Sequence, residues 1–105
     1  TFKSAATGST TTLTTLYTCP ASTTSVVHAI YMSNIDGIND ATIDIAISGS
    51  ANFQTRRYIL KTVDIPADST VVIEKPINLG DGDKLETKAS ANGDIDVFAS
   101  ILEIS

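Results

Sequence analysis

The sequence has 105 residues with 7 Lys+Arg against 12 Asp+Glu, one His, one Cys and no Trp. That length is one domain, able to bury roughly two thirds of its unfolded surface around a single core without a disulfide or a metal. A formal charge of -5 argues against nucleic-acid binding by phosphate neutralisation, which needs clustered Lys and Arg. The single cysteine, Cys19, excludes an intramolecular disulfide. No signal-peptide apolar region and no apolar run of about 18 residues occurs, so neither that route of secretion nor a membrane span is expected. Thr, Ser, Ile, Val and Ala dominate, and no stretch carries a 3.6-residue apolar period, so the chain is expected to be all-β.

Residues 1–12 are small and polar, with Phe2 and Lys3 the only large side chains. They are either a mobile arm or an edge strand, and are set apart as an N-terminal arm before a domain over 13–105. Leu13 to Thr18 reads as a short strand stopped by Cys19-Pro20, because proline cannot donate to a ladder. Pro20-Ala21-Ser22-Thr23-Thr24 turns the chain into Ser25 to Asn34. That stretch places Val26, His28, Ile30 and Met32 on one side and Val27, Ala29 and Tyr31 on the other. Both sides are largely apolar, so it is expected to be a central strand covered by the core and by further protein, another copy of the chain included.

Residues 35–40 are dense in turn formers. Thr42 to Ser48 then alternates cleanly, with Ile43, Ile45 and Ile47 inward and Thr42, Asp44, Ala46 and Ser48 outward. After a loop over Gly49–Asn52, Arg56 to Ile65 is irregular. Tyr58 and Leu60 share one parity, Val63 and Ile65 the other, and a bulge near Lys61–Thr62 reconciles them. Pro66-Ala67-Asp68-Ser69-Thr70 repeats the wording of the Pro20 corner, which suggests two corners at the same end of the molecule. Val71 to Lys75 ends at Pro76, Ile77 to Leu79 is a short piece, and Gly80–Asp83 is a turn. Leu85, Thr87 and Ala89 alternate with Lys84, Glu86 and Lys88. Ala91-Asn92-Gly93-Asp94 is a hairpin signal. Ile95, Val97, Ala99 and Ile101 alternate with Asp96, Phe98, Ser100 and Leu102. Seven or eight strands at roughly ten-residue spacing predict a single antiparallel β-sandwich, jelly-roll or immunoglobulin-like.

The inventory for chemistry is thin. Cys19 and His28 are the only thiol and imidazole, and both read as structural residues of a core rather than a catalytic pair. His28 shares a parity with Ile30 and Met32, so it is expected to be mostly buried; a pH-sensitive interface is the alternative. Asp81-Gly82-Asp83 and Asp94-Ile95-Asp96 resemble fragments of calcium loops but fall short of the ligand set an EF-hand needs. No glycine-rich phosphate cradle, zinc spacing or hydrolase elbow occurs, so no catalytic residue, cofactor or metal is expected. Arg56, Arg57 and Lys61 form the only basic cluster, suited to a protected strand edge or to an acidic partner surface.

Leu16-Tyr17-Thr18-Cys19-Pro20-Ala21-Ser22-Thr23-Thr24, running into Ser25 to Asn34, resembles the opening of small virion structural proteins of tailed bacteriophages, especially marine ones. Ile65-Pro66-Ala67-Asp68-Ser69-Thr70, Leu79-Gly80-Asp81-Gly82-Asp83-Lys84-Leu85 and the ending Glu103-Ile104-Ser105 fit the same pattern. Cys19 departs from the small aliphatic residue usual before that proline. The resemblance implies a non-enzymatic virion component assembled in the host cytoplasm. It is expected to be a capsid decoration (cement) protein on the outer shell, with a neck, tail or fibre module as the alternative. Its partners would be the major capsid protein and copies of itself, a homotrimer suiting local threefold positions. The residues expected at contacts are Phe2, Lys3, Tyr31, Arg56, Arg57 and Tyr58. Two competing classes make different demands: a carbohydrate-binding adhesin needs several exposed aromatics, and a small enzyme needs Cys19 and His28 to converge.

Overall fold

Branched apolar residues at every second position favour extended backbone and give each strand one face to bury. In a computed structural model that describes residues 2–8, 10–49, 56–91 and 93–104, these stretches form nine strands. They are β1 (Phe2–Gly8), β2 (Thr14–Thr18), β3 (Thr24–Asn34), β4 (Ala41–Ser48), β5 (Arg57–Ile65), β6 (Thr70–Ile73), β7 (Ile77–Leu79), β8 (Lys84–Ala89) and β9 (Ile95–Ile104). Most of the expected Gly49–Asn52 loop, and Asn92 of the expected hairpin turn, lie outside the described residues. Among the described residues no helix is long and apolar enough to cross a membrane.

One sheet runs β1-β9-β3-β6, with β7 also on β3, and the other runs β2-β8-β4-β5. All pairings are antiparallel. β6 pairs with Ile30–Ser33 and β7 with Ser25–Val27, so the two are successive halves of one edge, interrupted at Pro76. Counting them as one position, the chain crosses between sheets at every step except β4 to β5, the strand order of a jelly roll. The sandwich is therefore of the jelly-roll kind, not the immunoglobulin kind.

Residues 2–8, expected as an arm, take the other form open to them: β1 pairs with β9 from Phe2↔Leu102 to Gly8↔Asp96 without a break. Small side chains carry little burial energy, but the exposed edge of β9 offers hydrogen bonds that a free arm would leave to water.

The central strand departs from simple alternation. Its register on β9 passes from Val27↔Ile101 to Ala29↔Ser100, so His28 is an extra, bulged residue. Ser25 and Val27 are buried before the bulge, and Ile30, Met32 and Asn34 after it. His28 is exposed, which corrects its expected burial beside Ile30 and Met32; a two-residue period cannot register one inserted residue.

The expected bulge in β5 is present: Val63 pairs with Ile43 and Leu60 with Ile45, leaving Lys61–Thr62 to absorb the extra residue. Thr62 there has a φ of 53°. A second bulge at Ile59 separates Leu60↔Ile45 from Tyr58↔Ala46, so Tyr58 and Leu60 do not share a side as expected.

The two Pro-Ala corners share a local turn, since Ser22 and Asp68 both have a φ of 58°. They lie at opposite ends of β3, not at the same end. The first leads into Thr24, and Ser22 N–H reaches Asp81 Oδ2 at 3.0 Å. The second meets the far end, where Asn34 N–H donates to Ser69 C=O at 2.8 Å. Asn34 ties that end together, its amide donating to Ile65 C=O at 2.8 Å and Asn39 C=O at 3.0 Å while accepting from Asp36 N–H at 2.9 Å.

Between the sheets, Val27, Ile30, Met32, Ile95, Val97, Ala99 and Ile101 meet Ile43, Ile45, Ile47, Leu85 and Ala89. Burying each Ile contributes about 2 kcal/mol. Thr87 lies in the same layer, fully buried, and its hydroxyl has no hydrogen-bond partner among the described residues.

Candidate functional site

Once the inner faces are packed, the outer ones carry the exposed side chains. On the β1-β9-β3-β6 sheet, register brings outward residues into rows. Ala6, Phe98, Tyr31 and Val72 are successive neighbours across four strands, as are Phe2, Leu102 and Val26 across three. Between the rows run Ser4, Ser100 and Ala29, all small. Tyr31 is 41% exposed and Phe98 42%, their ring centroids 6.0 Å apart at 55°. Phe2 is 76% exposed and packs its ring 6.1 Å from that of bulged His28. At one end, Ala6, Gly8, Tyr31, Ser33, Asp96 and Phe98 line a shallow open depression of about 440 Å³. This face contains no ion pair among the described residues, and its aromatics neighbour one another, Val72, Leu102 and small residues.

The outer face of β2-β8-β4-β5 is the opposite in chemistry. Arg56 grips Glu86 with two parallel bonds, Nε–Oε1 at 2.9 Å and Nη2–Oε2 at 3.3 Å. Burial pushes the Glu86 carboxyl up, but hydrogen bonds from Arg56 and Ser48 and the Arg56 charge outweigh it and hold it below the ordinary range. Lys61 Nζ donates to Asp44 Oδ2 at 3.2 Å and stands 4.8 Å from the Tyr58 ring centroid. Asp44 Oδ1 accepts the Thr62 N–H at 2.7 Å, which fixes the bulge. Ala46, expected to face outward, is fully buried between Glu86 and Tyr58 in register. Asp44 is buried as well. Tyr58 and Ile59 of β5 remain partly exposed on this sheet, 45% and 36%.

A third cluster joins the sheets at one side. Tyr17 O–H donates to Glu103, lies 2.7 Å from Ser25 Oγ, and Glu103 in turn pairs with Lys3 at 3.3 Å. Burial, then the Glu103 hydrogen bond, pushes the Tyr17 hydroxyl up to about 12. The same bond is the main reason that the Glu103 carboxyl lies below its ordinary range. Cys19 is buried nearby, its thiol 3.2 Å from both Thr23 C=O and Ser25 Oγ.

The six expected contact residues therefore divide. Phe2 and Tyr31 share the apolar face; Lys3 is tied to Glu103 at the side; Arg56, Arg57 and Tyr58 lie on or beside β5, with Arg56 already engaged. Phe98, Val72, Leu102 and Val26 belong to the apolar face too. The outward register of Phe98 and Leu102 was visible in the alternation of β9, whereas Val26 and Val72 needed the pairings. Cys19 is in the core and His28 on the outer face, so they do not converge. The Asp81–Asp83 turn uses its carboxylates on backbone: Asp81 on Ser22 N–H, Asp83 on Gly80 N–H at 2.8 Å. Among the described residues no three His, Cys, Asp or Glu side chains come together to hold a metal. A scan against protein-family models and a search of curated proteins find no match to the chain.

Proposed function

We propose that this chain is a non-enzymatic structural protein of a bacteriophage particle, a decoration protein that seats on the outer capsid surface and bridges neighbouring subunits of the major capsid protein. The observation that carries this reading is the apolar outer face of β1-β9-β3-β6, where Phe2, Tyr31, Val72, Phe98 and their small neighbours form a contiguous patch with no ion pair among the described residues. Exposed apolar patches rimmed by polar residues mark contact surfaces, and buried aromatics at their centres supply most of the binding energy. The resemblance of Leu16–Asn34, Ile65–Thr70 and Leu79–Leu85 to phage virion proteins supports the particle as the partner. The jelly-roll order agrees with it, as a fold shared by viral capsid and lectin domains. Repetition around a symmetric shell turns moderate contacts into avidity.

The test is reconstitution. Purified protein is added to DNA-filled heads that lack it, and bound copies are located on the particle. Occupancy of every equivalent position on the shell supports decoration, whereas a single ring at one vertex gives the neck or tail reading, and failure to co-sediment with heads or tails overturns both.

A further inference from the structure

The sandwich has four sheet edges, and three carry devices that deter strand addition. The β6–β7 edge is broken by Glu74-Lys75-Pro76 into pieces of four and three residues. β2 is five residues with a register shift between Thr15 and Tyr17, and runs into Cys19-Pro20. β5 has two bulges, the left-handed Thr62, and Arg57, Lys61 and Asp64 along it. β1 has none of these. It runs seven residues in unbroken register, without proline, bulge or positive φ, and its one charge, Lys3, is paired with Glu103.

We propose that β1 adds antiparallel to β1 of a second copy of this chain about a twofold axis at Ala5. The strand fits its own copy in that register. Phe2 falls opposite Gly8 of the second copy, Lys3 opposite Thr7 and Ser4 opposite Ala6, so the one large ring meets the one residue without a side chain. No like charges are juxtaposed. An isologous pair of this kind closes on itself, so the edge is used up instead of being left to add further strands. It sets Phe2, the most exposed aromatic of the apolar face, beside Gly8 of the second copy, and makes the two outer faces one continuous surface across a ten-stranded sheet built from the two five-stranded ones. This pairing does not depend on the particle reading, since it involves the chain alone.

Light scattering across a concentration series tests it. The mass is expected to rise from once to twice the 11.0 kDa of the chain. A mass that stays at one chain into the millimolar range, or climbs to three, overturns the proposal. Register is tested with two double variants at exposed positions. Ser4→Lys with Ala6→Lys sets lysines opposite one another twice across the axis and is expected to abolish the dimer. Ser4→Lys with Ala6→Glu sets opposite charges there and is expected to retain it. Circular dichroism on both establishes that each is folded. If the two folded variants have the same mass, the twofold at Ala5 is wrong.

Discussion

The two outer faces of the sandwich are made by the same alternation of side chains, yet they reach opposite states. On β2-β8-β4-β5, Arg56 is clamped to Glu86, Lys61 to Asp44 and the Tyr58 ring, and Ala46 is buried in the plane of the strands. On β1-β9-β3-β6, Tyr31 and Phe98 lie against each other over Ala6 and Ala29 with Val72 and Phe2 alongside. A face whose charged groups already have partners gains little from a second protein, because those pairs would have to be desolvated again. An apolar face loses only water on contact. On the reading proposed above, stability belongs to one face and recognition to the other.

The largest effect expected from breaking this contrast is on binding. Tyr31→Thr with Phe98→Thr, which keeps an uncharged strand-forming pair at these directly opposed positions, should weaken attachment to particles by about 2 kcal/mol per ring, ~30-fold each, with a smaller loss in the unfolding midpoint; co-sedimentation against urea denaturation separates the two. Arg56→Glu with Arg57→Glu should do the reverse, since Arg56 neutralises Glu86 within the chain. Asp44→Ala removes the acceptor of the Thr62 amide at the left-handed bulge and should cost about 2 kcal/mol of stability in urea titration with particle occupancy unchanged. Thr87→Val replaces a buried hydroxyl, without a hydrogen-bond partner among the described residues, by a methyl of the same shape, and should raise stability by about 1 kcal/mol without touching either face.

The smallest effects concern pH. The carboxyls of Asp36, Glu86 and Glu103 lie below their ordinary range in the folded chain, Asp36 through the Ile38 and Asn39 backbone amides. Their contribution is therefore complete above about pH 4.5, the ordinary Glu value, and is lost as acid is added through the lower folded values. Tyr17 acts on the alkaline side: with its hydroxyl at about 12 against an ordinary 10.0, its contribution is complete below pH 10 and fades as pH rises towards 12. A plateau between these limits in the unfolding midpoint is the expected profile. A maximum confined to acid pH would contradict it.

Much of the fold could be read from alternation: Ile43, Ile45 and Ile47, the Leu85–Ala89 series and the Ile95–Ile101 series all point inward as a period of two requires. What escaped were single-residue insertions. The bulges at His28 and Ile59 flip the faces of everything beyond them, and nothing in the residue types marks them, because a bulge is set by the partner strand's register. The positions of the Pro20 and Pro66 corners escaped for a related reason: identical local turns carry no information about which end of a strand they join. At the candidate site, Tyr31 was legible as lacking a cover. Its partner Phe98 is 67 residues further along, and only pairing brings the two together.

The proposal that one face carries recognition is tested most directly by a reconstruction of the protein bound to the phage particle proposed as its partner. It should show the β1-β9-β3-β6 face, with Tyr31 and Phe98 at its centre, buried against the shell and the Lys61–Asp44 and Arg56–Glu86 pairs turned to solvent. Density that buries those ion pairs and leaves Tyr31 and Phe98 in water would contradict the account.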